Sequence, residues 1–337
     1  MDAIDVLIKY WGHTQFRLKQ QEIIKQVIDK KDTLALLPTG GGKSICYQVP
    51  ALMQEGICLV ISPLIALMDD QVRFLKSKGI KSIAITSGMH YNEIDTALTN
   101  CIYGGVKFLY LSPERLQNEL VQTRIKEMNI NLITVDEAHC ISEWGHNFRP
   151  AYRHISEIRE IIPDTPVLAL SATATSSVID DIQNNLDFKE HNLIQSSFTR
   201  ENLSYVVDNV EDKKSRLLKL VDKIKSSVII YVGSRKAAKE ITNFLLNNNY
   251  SANYYHGGLA AKVRTERQES WTQNQTRIMV ATNAFGMGID KPDVKLVVHL
   301  ELPSTIEAYF QEAGRAGRDG KQAYAFLLAN KGDVKKQ

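Results

Sequence analysis

Short runs of continuous apolar residues alternate along this chain with segments whose apolar positions recur every three or four residues. The first kind reads as parallel strands buried on both faces, the second as helices laid against a sheet. Strands are expected at 33–37, 57–61, 82–85, 106–111, 132–135, 167–170 and 193–195. The pattern breaks at 198–202 and then resumes, with strands expected at 204–207, 228–232, 252–255, 278–281, 296–300 and 323–328. Ahead of the first strand, Ile4, Leu7, Ile8 and Trp11, then Ile23, Ile24, Val27 and Ile28, have helical spacing. The alternation predicts an α/β protein of two tandem units, each a mostly parallel sheet with helices on both faces. The expected boundaries are a first domain at 1–197, a linker at 198–203 and a second domain at 204–337. A chain of 337 residues is too long for one ordinary core, which agrees with two domains.

In such sheets ligands gather at the strands' C-terminal ends, and the polar motifs lie there. The first expected strand runs into Leu37-Pro38-Thr39-Gly40-Gly41-Gly42-Lys43-Ser44, followed by an expected helix at 43–52. Strand, glycine turn and helix start make a phosphate cradle of backbone N–H groups. Lys43 can reach the β- and γ-phosphates, and the Ser44 hydroxyl can ligate Mg²⁺. The general pattern opens with a glycine five positions before Gly42; Leu37 stands there instead.

Asp136 and Glu137 follow another strand, where Asp136 can hold Mg²⁺ and Glu137 can activate the attacking water. Ser62-Pro63, Ser112-Pro113 and Ser171-Ala172-Thr173 follow three more. Between the two N-terminal helical patterns, 11–20 holds His13, Arg17 and Gln20. The Gln20 amide matches the adenine N6 and N7 edge, His13 could stack on the base and Arg17 could orient it or meet a phosphate. The same segment also reads as an ordinary polar turn. Residues 140–152 have no period and mix Trp144, His146, Phe148 and Arg149 with Gly and Pro. Such a loop suits stacking on unpaired bases and gripping phosphates, or else folds its aromatics into a satellite core.

In the second unit there is no further P-loop. Ser234, Arg235, His256 and Thr282 follow strands at the expected site edge and could contact backbone phosphates. The stretch 311–320 carries Arg315 and Arg318, three apart; they could stabilise phosphoryl transfer or simply pair with surface carboxylates. The charged patch 211–214 reads as a solvated turn, and Lys236 and Lys239 as a solvated helix face.

Bulk properties narrow these readings. The net charge of +3 carries no global basic excess, so nucleic-acid binding rests on local motifs. With no long apolar run and no signal peptide, a soluble, cytoplasmic protein without membrane contact is expected, nucleoid-associated in a bacterium. Cys46, Cys58, Cys101 and Cys140 lack metal spacing and read as buried free thiols, so no zinc is expected.

The ordered set of 11–20, 39–44, 62–69, 136–139, 144–149, 171–173, 282–290 and 311–320 resembles the RecQ family of superfamily 2 DNA helicases. The Gln20 block, the aromatic loop and Ala284-Phe285-Gly286-Met287-Gly288-Ile289-Asp290-Lys291-Pro292 are its most specific pieces. The resemblance implies two RecA-like domains, ATP and Mg²⁺, 3′→5′ movement on DNA, and work in DNA repair and recombination. It implies nucleotide contacts at His13, Arg17, Gln20, Thr39, Gly40, Gly41, Gly42, Lys43, Ser44 and Asp290, with Mg²⁺ at Ser44 and Asp136. It implies hydrolysis by Asp136, Glu137 and Lys43 with Gln311, Arg318 as the γ-phosphate finger, and Arg315 supporting it. DNA contacts are implied at Ser62, Pro63, Trp144, His146, Phe148, Arg149, Ser234, Arg235, His256 and Thr282, and coupling between DNA and ATP at His139, Ser171 and Thr173. Single-stranded and forked DNA are the expected partners of a monomer. The family's four-cysteine zinc module and winged helix have no counterpart in 1–337, which leads to an expectation of weak unwinding of long duplexes. The competing readings are a duplex translocase, an RNA helicase of the same superfamily, and a passive single-strand binder or annealing factor.

Overall fold

The computed structural model describes residues 1–86, 88–144, 148–286, 291–330 and 332–333. The chain divides into two compact units, Met1–Phe198 and Thr199–Gln337.

In the first unit β1 (Thr33–Leu36), β2 (Ile57–Ile61), β3 (Ser82–Ile85), β4 (Phe108–Leu111), β5 (Ile130–Val135), β6 (Val167–Ser171) and β7 (Leu193–Gln195) form one sheet. Its order is β3-β4-β2-β5-β6-β1-β7, and every neighbouring pair is parallel. Alternate residues feed the two faces. Leu34, Leu36, Leu59, Ile61, Leu109, Leu111, Ile133 and Val135 belong to one core. Ala35, Cys58, Val60, Phe108, Tyr110, Leu132, Leu168 and Leu170 belong to the other. Each fully buried Leu or Ile contributes about 1.5–3 kcal/mol, so continuous apolar runs are what a sheet covered on both sides requires. At the strands' N-terminal ends the buried Asp32 carboxylate accepts from Arg159 Nη1, Val167 N and Lys189 N, each at 2.9 Å. The charge is therefore paired and hydrogen-bonded, as burial demands.

The second unit contains β8 (Leu203–Asn209), β9 (Ser227–Tyr231), β10 (Ala252–Tyr255), β11 (Ile278–Ala281), β12 (Val294–His299) and β13 (Ala323–Ala329). They are ordered β10-β11-β9-β12-β13-β8, again with parallel neighbours. Val228, Ile230, Val280 and Val298 face one core, and Ile229, Met279 and Val297 the other.

Departures from the sequence pattern have local causes. β8 lies at the sheet edge and continues through Asp208 and Asn209, because an edge strand can turn alternate polar residues to water. The helix after the glycine turn is Ile45–Met53, not 43–52. Ile45 N and Cys46 N reach back only three residues, to Gly42 O and Lys43 O, so 43–44 form a tight turn. In the segment expected as linker, Arg200 and Asn202 are bonded to Gly314, Gly317 and Lys321 of the second unit, and Leu203 opens β8. The 211–214 patch is more than a solvated turn. Asp212 caps the helix Lys213–Lys223, and Lys213 Nζ meets Leu300 O and Asp333 Oδ2, both at 2.6 Å.

Candidate functional site

Strand order puts β6 between β1 and β5, so the glycine loop, Ser171–Thr173 and Asp136-Glu137 leave the sheet at one edge, side by side. Gly40 and Gly42 hold left-handed φ of 80° and 73°. A Cβ on Gly42 would press on the Gln20 amide, and the left-handed backbone would strain any other residue there. Gln20 Nε2 donates to Gly42 O at 3.0 Å and Gly41 O at 3.3 Å, while its Oε1 accepts from Arg17 N at 2.8 Å. The amide thus joins 17–20 to the phosphate loop, whereas His13 and the Arg17 side chain are exposed. This Gln20–loop contact spans more than twenty residues and has no signature in spacing.

Asp136 is fixed by its N–H on Ile61 O at 2.9 Å, and its own carbonyl accepts from the buried Tyr152 hydroxyl at 2.9 Å. Burial, then the adjacent Glu137 charge, pushes the Asp136 carboxyl well above the usual carboxylate range; Lys43 and the Glu137 N–H oppose the rise. Glu137 adopts φ 49°, ψ 45°, a left-handed conformation that costs a non-glycine residue about 1–3 kcal/mol. Its buried Oε2 makes no hydrogen bond and lies 3.4 Å from His139 Nδ1. Two crowded carboxylates, one with an unbonded buried oxygen, beside a Lys and a Ser hydroxyl are a donor set that fits a Mg²⁺ carrying phosphates. His139 Nδ1 lies 3.1 Å from Ser171 Oγ, which donates to Thr173 O at 2.9 Å. The single hydroxyl proton is committed to Thr173, so the His139 ring N–H is the donor to Ser171.

The aromatic loop is anchored at both ends. Arg149 N donates to Cys140 O, and Arg149 Nη1 donates to Pro63 O, both at 2.8 Å. Ser142, fully buried, donates to Asp181 Oδ2 at 2.6 Å and accepts from Trp144 N at 3.2 Å. Trp144 itself is 77% exposed, so its backbone is held while its ring is presented to solvent; it is no satellite core. Phe148 lies under Arg153, 5.1 Å from the guanidinium. Ser62 and Pro63 are buried, so a strand passing here would meet backbone more readily than these side chains. His146 lies outside the described residues. Ser142 and Asp181 escaped the sequence reading; a Ser two residues before a loop aromatic is the signal that was there.

The same edge of the second unit is built differently. Ser234 caps the helix Arg235–Asn247, with Arg235 exposed. His256 stacks on Tyr254 at 5.7 Å, and Arg267 lies 3.9 Å over the other ring. Burial, then the charges of Arg235 and Arg267, lowers the His256 pKa, which favours the neutral ring. The helix Ile306–Ala313 ends before the arginine pair, so the two do not share a helix face. Arg315 turns inward: it is 4% exposed and its Nη1 donates to Gly286 O. Arg318 remains half-buried, as do Gln311 and Thr282. Tyr231, also unforeseen, donates to Phe285 O at 2.7 Å and stacks on His299, whose Nε2 lies 2.8 Å from Glu312 Oε2. Asp290 lies outside the described residues. Among the described residues no helix is long and apolar enough to cross a membrane.

Residues 17–182 match the model of the DEAD/DEAH box helicase family, and 212–320 that of the helicase conserved C-terminal domain. The probable ATP-dependent DNA helicase RecS of Bacillus subtilis (strain 168) is 43% identical over 98% of this chain and 67% of its own length. The ATP-dependent DNA helicase RecQ of the same organism is 43% identical over 98% of this chain and 57% of its own. The chain thus spans between half and two thirds of the length of these relatives. The DNA-bound DUF1998 helicase MrfA superposes with a TM-score of 0.80 at 18% identity, covering 98% of this chain and 48% of that one. The fold is that of tandem RecA-like helicase domains, and the chain belongs to the RecQ family of ATP-dependent DNA helicases.

Proposed function

We propose that this chain is the motor of a 3′→5′ DNA helicase, hydrolysing ATP to move along single-stranded DNA and separate strands. The observation that carries the reading is the shared edge of the glycine loop, Ser171–Thr173 and the Asp136-Glu137 pair in the first unit. Gln20 and Arg17, with His13, take the adenine end; Thr39 to Ser44 wrap the phosphates, with Lys43 as their counter-charge. Ser44 and Asp136 would hold Mg²⁺, which would supply counter-charge for the phosphates. Glu137 orients the attacking water and accepts its proton; its unbonded oxygen leaves it room to do so. Arg318 stabilises the transferring γ-phosphoryl group, with Gln311 assisting hydrolysis and Asp290 as a further nucleotide contact.

Bases stack on Trp144 and Phe148, while His146, Arg149, Ser234, Arg235, His256 and Thr282 follow the backbone. The hydrogen bond between His139 and Ser171 links the carboxylates to Ser171–Thr173, and couples strand binding to hydrolysis. The relatives named as DNA helicases support DNA as the track.

Displacement of streptavidin from oligonucleotides biotinylated at one end tests the reading. ATP should speed release from the 5′ end only, with forks bearing a 3′ tail unwound in the same conditions. Release from the 3′ end, or release without ATP, would overturn it.

A further inference from the structure

The turn that presents Arg318 is held from outside its own motif. Gly317 has a left-handed φ of 67°, and a Cβ there would lie 2.6 Å from Asn202 Nδ2 and 2.9 Å from Ala323 Cβ. Its N–H donates to Val294 O at 2.8 Å. Its carbonyl accepts from three donors: Arg200 Nη2 at 2.6 Å, Asn202 Nδ2 at 2.7 Å and Gly320 N at 3.1 Å. Arg200 Nη1 also donates to Gly314 O at 2.8 Å, the carbonyl at the C-cap of the helix Ile306–Ala313. Asn202 Nδ2 further donates to Lys321 O at 2.9 Å.

Both side chains spring from locked backbone, since Leu203 N bonds Arg200 O at 3.0 Å and Ala323 N bonds Asn202 O at 2.8 Å. The Gly317 carbonyl and the Arg318 N–H share one planar peptide unit. Fixing the carbonyl therefore fixes that plane and the position of the Arg318 Cα from which the side chain leaves the chain. A guanidinium at a helix C-terminus also meets orphan carbonyls and the negative end of the dipole.

We propose that Arg200 and Asn202 are positioning residues for the arginine finger, acting on hydrolysis through the Gly317–Arg318 peptide without touching the nucleotide. The inference rests on Arg318 serving as the finger, as proposed above. A misplacement near 1 Å at a reacting group costs on the order of 10²-fold. Arg200→Ala should thus lower kcat for DNA-stimulated ATP hydrolysis by roughly 10–10²-fold, with KM for ATP and DNA affinity unchanged. Arg200→Lys, which keeps the charge but lacks the planar fork that places separate donors on the two carbonyls, should fall between it and the unaltered chain.

The decisive experiment is a double-mutant cycle in this chain with Arg200→Ala, Arg318→Ala and the two combined. The double variant should be no slower than Arg318→Ala alone. Multiplying losses, or a loss of kcat that tracks a lowered unfolding temperature, would overturn the proposal. So would normal kcat in Arg200→Ala while Arg318→Ala is slow. Normal kcat in Arg318→Ala would instead sink the finger assignment beneath it. If Arg200→Ala does not fold, Asn202→Ser, which removes two donors from the turn, enters the same cycle with the same expectations.

Discussion

The two units share a scaffold and differ in what they mount on it. Each is a parallel sheet with alternate residues feeding two cores, and each presents its loops at the strands' C-terminal ends. In the first, that edge carries a glycine loop, a Lys, a Ser and two crowded carboxylates. In the second it carries arginines, a histidine and hydroxyls, and the buried Tyr231 and His299 lead to the half-buried Glu312 beside the arginine turn. The scaffold decides where a site can lie; the residues after each strand decide what it can do. Under the proposed function the first unit binds the nucleotide and activates water, and the second supplies Arg318.

Four variants probe that division. The largest effect is expected for Arg318→Ala, on the order of 10³–10⁵-fold in turnover. ATP binding by a fluorescent analogue should stay near normal, because a finger acts mostly in the transition state. Parallel loss of binding and turnover would make Arg318 a ground-state or folding residue and blur the comparison.

Glu137→Gln removes a proton acceptor at nearly constant shape. It should cut turnover by roughly 10²–10⁴-fold while ATP still binds. Single-turnover kinetics with normal hydrolysis would take Glu137 out of its role.

Replacing both Trp144 and Phe148 by Ala should leave ATPase without DNA unaltered and weaken activation by single strands. Stacking contributes about 1–3 kcal/mol per base, so the DNA concentration for half-maximal activation is the quantity to follow. Unchanged activation would remove the loop from the DNA track.

Ser142→Ala should have the smallest effect. It frees Trp144 N and the Asp181 carboxylate from their shared hydroxyl without touching the exposed ring. Activation by DNA should fall only a few-fold, because the exposed Trp144 ring itself is retained. ¹⁹F spectra of fluorotryptophan-labelled protein should show a change confined to the Trp144 line. An unchanged Trp144 line would show that the hydroxyl does not order the loop.

Much of this architecture was legible in the sequence because parallel strands buried on both faces need unbroken apolar runs. The glycine loop and Asp136-Glu137 were legible for a related reason: both follow such runs directly, and their chemistry needs those residue types in a row. What stayed hidden was long-range pairing. Arg315 and Arg318 look equivalent in a string, yet one donates inward to Gly286 and the other does not share its burial. Gln20 showed its amide but not that Gly41 and Gly42 carbonyls hold it. Arg200 and Asn202 fell in a stretch that breaks the periodic pattern, where periodicity is silent about hydrogen bonds to residues more than a hundred positions away.

Phosphate release by this chain, measured with ATP and Mg²⁺ alone, with added single-stranded DNA and with single-stranded RNA of the same sequence, tests the central claim most directly. A DNA-driven motor predicts slow release alone, strong acceleration by DNA and weaker acceleration by RNA. Equal rates in all three conditions, or acceleration by RNA alone, would contradict it.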